Sequence, residues 1–71
     1  MREIPIRSEV IRLGQLLKLA GVVAGGGEAK ALLAADGARV NGEPEARRGR
    51  QLAPGDRVEV VGEDLRVVAG P

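Results

Sequence analysis

Three arginines within four positions, Arg47, Arg48 and Arg50, enclose Gly49, and a glycine triplet, Gly25-Gly26-Gly27, stands directly ahead of Glu28-Ala29-Lys30. A guanidinium is a permanently charged fork of N–H donors that matches the oxygens of phosphate or carboxylate. Glycines at a helix start leave backbone N–H groups open at the positive end of the helix. Both features favour an anion, and the polyanion they suit is nucleic acid. Adjacent arginines on a regular strand would point to opposite faces, so Arg47 and Arg48 can serve one ligand only if Gly49 lets the backbone deviate. Glu43 and Glu45 are close enough in sequence to pair with them instead. No Gly-x-x-x-x-Gly-Lys-Ser/Thr spacing can be laid on residues 21–30, so nucleotide hydrolysis has no support.

The residues that are missing narrow the chemistry further. The chain has no cysteine and no histidine, which removes disulfides, thiolate and imidazole metal ligands, and Cys-His or Ser-His catalytic pairs. An enzyme would have to rely on carboxylates or lysine, and Glu59, Glu63 and Asp64 read as a solvated face. No catalytic residue, cofactor, metal or small-molecule substrate is therefore expected. Phe, Tyr and Trp are also absent, so no aromatic platform can stack on bases, and any nucleic-acid contact must rest on charge and backbone.

Net charge is only +1, but it is unevenly placed. Between residues 12 and 50 seven basic side chains (Arg12, Lys18, Lys30, Arg39, Arg47, Arg48, Arg50) face four acidic ones, a local +3; from residue 51 onward two face four, a local −2. A positive middle and an acidic tail imply one polar face and one different face. Nine arginines against two lysines, with abundant Ala, Gly and Val, is also what a GC-rich genome would give, so position carries the argument and number does not. No apolar run approaches the roughly 18 residues of a membrane span, and Met1 is followed by charges instead of a signal-peptide core. The expectation is a cytoplasmic protein with no membrane partner.

These groups must be held by a scaffold of seventy-one residues, enough for one domain, 1–71, that buries roughly 60% of its unfolded surface. Glu3-Ile4-Pro5-Ile6-Arg7 alternates like a strand, but Pro5 confines it to a sheet edge. Leu13, Leu16, Leu17 and Ala20 fall at i, i+3, i+4 and i+7, which predicts a helix over about 13–20 stopped by Gly21. Lys18, roughly 100° from Leu17 on the helical wheel, projects away from that stripe. Ala29, Leu32 and Leu33 predict a second helix over about 26–35, ended by Asp36-Gly37, with Lys30 beside the stripe and close to the helix start. Ala38-Arg39-Val40 reads as a strand, and Asn41-Gly42 as a tight hairpin, since both residues accept positive φ; Asn41 is a turn residue first and a contact second. Pro54-Gly55-Asp56 makes the next turn, Val58 and Val60 alternate as a half-buried strand, and Gly62-Glu63-Asp64 turns again. Residues 65–68 form a last strand that could pair with Ile4 and Ile6. The order predicts an α+β domain, two short helices packed on a small, mainly antiparallel sheet of about four to five strands.

Taken in order, these stretches resemble the small stand-alone S4-domain proteins of bacteria, of the YaaA and YbcJ kind. Residues 11–21, Ile-Arg-Leu-Gly-Gln-Leu-Leu-Lys-Leu-Ala-Gly, resemble the family's opening helix, and Gly26-Gly27-Glu28-Ala29-Lys30 its second. Val40-Asn41-Gly42-Glu43 and residues 45–52 resemble its hairpin and basic loop, with Pro54-Gly55-Asp56 following in register. The resemblance implies an S4-like fold and a non-catalytic module that binds structured RNA, ribosomal or transfer, through a surface of helix starts and basic loop. On that reading the candidate RNA-contacting residues are Arg47, Arg48, Arg50, Lys30, Lys18, Gly26, Gly27, Arg39 and Asn41, carried by a monomer. The chain departs from the broader pattern at Gly25-Gly26, where Ser-Arg is common and backbone N–H groups must substitute. It departs again at Asp36, where glycine is common and Gly37 follows, so that the turn shifts by one residue.

Two other readings remain open on the residues. Val40-Asn41-Gly42-Glu43 and residues 55–60 also look like a ubiquitin-like sulfur carrier, but Ala69-Gly70-Pro71 lacks the Gly-Gly carboxylate such carriers activate. A protein-docking module using the edge formed by Ile4, Ile6 and Val67 is the other.

Overall fold

The proline-interrupted alternation forms β1 (Arg2–Ile6) at the margin of the main sheet, where a residue without an N–H breaks no ladder on its open side. This and every element below is seen in a computed structural model that describes residues 1–60 and 62–70; the Pro71 end of the tail lies outside the described residues. A two-residue strand, β2 (Ile11–Arg12), leads straight into α1 (Leu13–Leu19). Leu13, Leu16 and Leu17 are fully buried, while Leu19 is 58% exposed, so the stripe faces inward as its spacing requires. Next come α2 (Gly26–Ala34), β3 (Ala38–Val40), β4 (Glu43–Pro44), β5 (Gln51–Leu52), β6 (Arg57–Val60) and β7 (Glu63–Ala69).

Both helices end in the same way, with different residues at the critical position. After α1, the Gly21 N–H bonds Lys18 O and the Val22 N–H bonds Leu17 O, with Gly21 at φ 75; glycine takes this left-handed position without a Cβ penalty. After α2, Asp36 N–H bonds Leu33 O and Gly37 N–H bonds Leu32 O, and Asp36 itself sits at φ 57. The turn is therefore not shifted by one residue: Asp36 accepts the left-handed backbone, and Gly37 is needed for a separate reason. A Cβ on Gly37 would lie 2.5 Å from Leu32 O. Opposite signs are expected for two neighbouring changes. Asp36→Gly should raise stability by roughly 0.5–1 kcal/mol by relieving the strained φ, and Gly37→Ala should lower it by about 1–3 kcal/mol by forcing the backbone apart; urea denaturation of the two variants reads both.

The main sheet has the order β1-β7-β6-β3-β4. Only β1 and β7 run parallel, with Ile4 opposite Val67 and Ile6 opposite Ala69, so the first and last strands of the chain are paired, β1 at the sheet edge and β7 next to it. The other pairs are antiparallel. Asn41 (φ 51) and Gly42 (φ 87) make the two-residue hairpin between β3 and β4, with Val40 opposite Glu43, and their positive φ values suit the twist of the flanking strands. The turn before β7 is shorter than the pattern suggests. Glu63 and Asp64 belong to the strand, paired with Val60 and Glu59, and Asp64 Oδ2 accepts a 2.9 Å bond from Arg57 Nη2.

One face of this sheet and the apolar stripes of both helices make the core, in which Ile4, Ile6, Leu16, Leu33, Val58, Leu65 and Val67 are all buried. Burial of Ile4, Ile6 and Val67 corrects the reading of those residues as a docking edge, because their side chains are spent on the core and offer no apolar surface. A second sheet, unmarked by any sequence period, pairs β2 with β5, Ile11 opposite Leu52 and Arg12 opposite Gln51. It ties the arginine loop to the start of α1.

Candidate nucleic-acid interface

Two backbone bonds fix where the arginine loop lies. Leu13 N–H donates to Arg50 O at 2.8 Å and Gly14 N–H to Arg48 O at 3.0 Å, so the loop's carbonyls satisfy the first free donors of α1. The start of α1 is thus closed by the loop, and the start of α2 is not. Ala29 N–H makes the first helical bond of α2, to Gly25 O at 3.1 Å, which leaves the N–H groups of Gly26, Gly27 and Glu28 ahead of the ladder. Glu28 Oε2 reaches back to accept the Ala24 N–H at 3.2 Å, tying down the turn that enters the helix.

Between these elements runs an open cleft of about 350 Å³. Arg12 comes from the end of β2, Gln15 and Lys18 from α1, Gly26 and Ala29 from α2, and Arg48 with Gly49 from the loop. The helix sets Gln15 and Lys18 three positions apart on the side opposite Leu13, Leu16 and Leu17, and Arg12 stands just ahead of its first turn as the extended cap residue. Arg48 is held close to both helices: a Cβ on Gly14 would lie 3.5 Å from Arg48 Cβ, and one on Gly26 would lie 3.3 Å from Arg48 Nη1. No acidic side chain lines this cleft, and among the described residues Arg12, Lys18 and Arg48 form no ion pair.

Glu45 divides the three loop arginines. Its Oε2 accepts the N–H groups of Ala46 and Arg47 at 3.1 and 3.2 Å and Arg47 Nε at 3.1 Å, while its Oε1 accepts Arg47 Nη2 at 3.2 Å and Arg50 Nη1 at 3.0 Å. The side chain is only 10% exposed, and the bonds from the Arg47 side chain, the Arg47 backbone and Arg50 hold its carboxyl at about 2, down from an ordinary 4.5. A carboxyl whose folded pKa is depressed adds stability above its unfolded pKa and loses it as pH falls through the folded value. Stability of the wild type should therefore decline between about 4.5 and about 2 more steeply than that of Glu45→Gln, as denaturation midpoints across that interval will show.

The other candidates lie elsewhere. Lys30 and Gly27 are exposed on α2 and do not line the cleft. Arg39 projects from the outer face of β3, bonds Gly42 O at 3.3 Å and sits opposite Glu59. Both ends of the Asn41 amide are engaged internally: Nδ2 donates to Asp56 Oδ1 and Oδ1 accepts the Arg57 N–H, each at 3.0 Å. A separate groove collects Asp36, Glu59, Glu63 and Asp64, so the uneven charge of the sequence becomes two differently charged surfaces. Sequence reading counted Arg12 only as charge and did not single out Gly14 or Gln15, although the spacing of Arg12, Gln15 and Lys18 on the polar side of the predicted helix was there to be read. Among the described residues no cluster of three acidic side chains is placed to hold a metal, and no helix is long and apolar enough to cross a membrane.

The S4 domain family pattern matches residues 4–68. The chain is also similar to the probable ribosome maturation protein RlbA of Bacillus subtilis (strain 168), with 52% identity over 59 residues, 83% of either chain.

Proposed function

Because this chain belongs to the S4 domain family, we propose that it is a non-catalytic RNA-binding module that serves ribosome assembly in the cytoplasm and docks structured RNA in the cleft between α1, α2 and the arginine loop. The observation that carries the reading is Arg48: a guanidinium without an ion-pair partner among the described residues, set beside the open start of α2 and flanked by Arg12 and Lys18. Phosphate oxygens suit that setting, since a cation and unobstructed backbone N–H groups converge there. Gly26, which lines the cleft, supplies the backbone donor, and Gly27 continues the open helix start outside it. Arg47 and Arg50 act mainly by holding the loop through Glu45, and Lys30 and Arg39 add to the field that attracts a polyanion. Asn41 contributes by fixing the hairpin. The cleft is built by one chain, so a monomer suffices.

Similarity to a ribosome maturation protein favours ribosomal over transfer RNA. Crosslinking in cells followed by sequencing of the bound RNA tests class and target together. Enrichment of ribosomal RNA or its precursors is expected; recovery no greater than from an untagged strain would count against RNA binding altogether.

A further inference from the structure

The cleft does not end at Lys18. Gln15 and Lys18 also line a second, shallower hollow, whose floor is Ile11 and Leu19 with Ser8 at its edge. Leu19 is 58% exposed and Val10, next to Ile11 in sequence, is 45% exposed, whereas the other large apolar side chains among the described residues, Met1 apart, are at least partly buried. Ser8 Oγ is already engaged with Val10 O at 2.7 Å. Gln15 Oε1 accepts the Arg12 N–H at 3.3 Å, which leaves the two N–H donors of its carboxamide to point elsewhere.

Resting on the RNA reading above, we infer that this hollow receives the base of an unpaired nucleotide whose phosphate lies in the cleft, so that the preferred substrate is RNA in which an unpaired nucleotide adjoins a helical stem. Lys18 and Leu19 are consecutive, and Lys18 belongs to both hollows; a nucleotide likewise joins an anionic group to a flat, weakly polar one. Neither hollow is lined by an acidic side chain, so the surface is complementary to RNA along its whole length. With no aromatic residue in the chain, the face of the base would rest on the aliphatic groups of Ile11 and Leu19, and Gln15 would donate to an acceptor on its edge. A base inside a duplex is stacked and cannot reach such a floor, whereas an unpaired one can be splayed out.

The test compares an RNA stem-loop with the blunt duplex of the same stem, by fluorescence anisotropy with the full chain. Leu19→Ser removes apolar contact from an exposed position, so its fold should be unchanged, as a matching denaturation midpoint will verify. It is expected to weaken stem-loop binding roughly three- to tenfold, leave duplex binding unaltered, and leave the salt dependence unaltered, because no counterion is involved. Leu19→Phe, which presents a flat face, should bind the stem-loop at least as tightly as wild type. Equal losses on both RNAs, or wild-type affinity of Leu19→Ser for the stem-loop, would overturn the inference while leaving the RNA reading intact. So would loss of association with ribosomal particles when binding to both RNAs is unchanged, which would assign the hollow to a protein. Failure of the wild type to bind either RNA at low salt would overturn both.

Discussion

Leu16→Ala is expected to lower the free energy of unfolding by about 2–5 kcal/mol. Leu16 is fully buried in the middle of α1, and truncation leaves a cavity that the sheet and α2 can close only in part. A chain of this length has roughly 4–10 kcal/mol in total, so the variant should unfold at far lower urea. Leu19→Ala, three residues on and 58% exposed, should change stability by less than about 0.5 kcal/mol. The contrast tests which face of α1 is turned inward. Similar losses for the two would show that the helix is rotated or that the core is not built around it.

Arg48→Ala is expected to reduce affinity for structured RNA roughly ten- to a hundredfold, the loss of charge-assisted hydrogen bonds worth about 1.5–3 kcal/mol. The fold should tolerate it: the Arg48 side chain is exposed, and the contact that closes α1 uses its carbonyl, which alanine keeps. Arg48→Lys should fall between, because an ammonium keeps the charge and loses the fork. Arg47→Ala and Arg50→Ala should each cost less, since both guanidinium groups are already hydrogen-bonded to Glu45. Binding curves for the four variants at one low salt concentration give the order directly. Arg47→Ala matching or exceeding Arg48→Ala would mean that RNA draws Arg47 away from Glu45.

Much of the scaffold could be read from the sequence because it rests on local periods and turn chemistry. The Leu13, Leu16, Leu17 stripe, the Asn41-Gly42 reversal and the edge strand marked by Pro5 each follow from a handful of neighbouring residues. The pairing of β2 with β5 could not be read that way, since two residues show no period and the partners are some forty positions apart. That small sheet is what brings Arg48 to the helix starts. The same limit applies to the site. Three arginines in one loop look equivalent until Glu45 is seen to hold two of them, and Asn41 looks available until Asp56 and the Arg57 N–H are found on its amide. Arg12 and Gln15 escaped notice because a helical period tells which face is buried and not what stands opposite the other one.

The most direct test of the cleft is the salt dependence of RNA binding in the wild type, in a variant with Arg12, Lys18 and Arg48 all replaced by alanine, and in Arg66→Ala. Each phosphate contact releases condensed counterions and adds roughly 0.7–0.9 to the slope of log K against log salt. The triple variant should flatten that slope by roughly 2–3 units, whereas Arg66→Ala, which removes a charge from the outer, exposed side of β7, should leave it unchanged. A wild-type slope in the triple variant, or equal flattening per charge from Arg66→Ala, would contradict the assignment of RNA to the cleft.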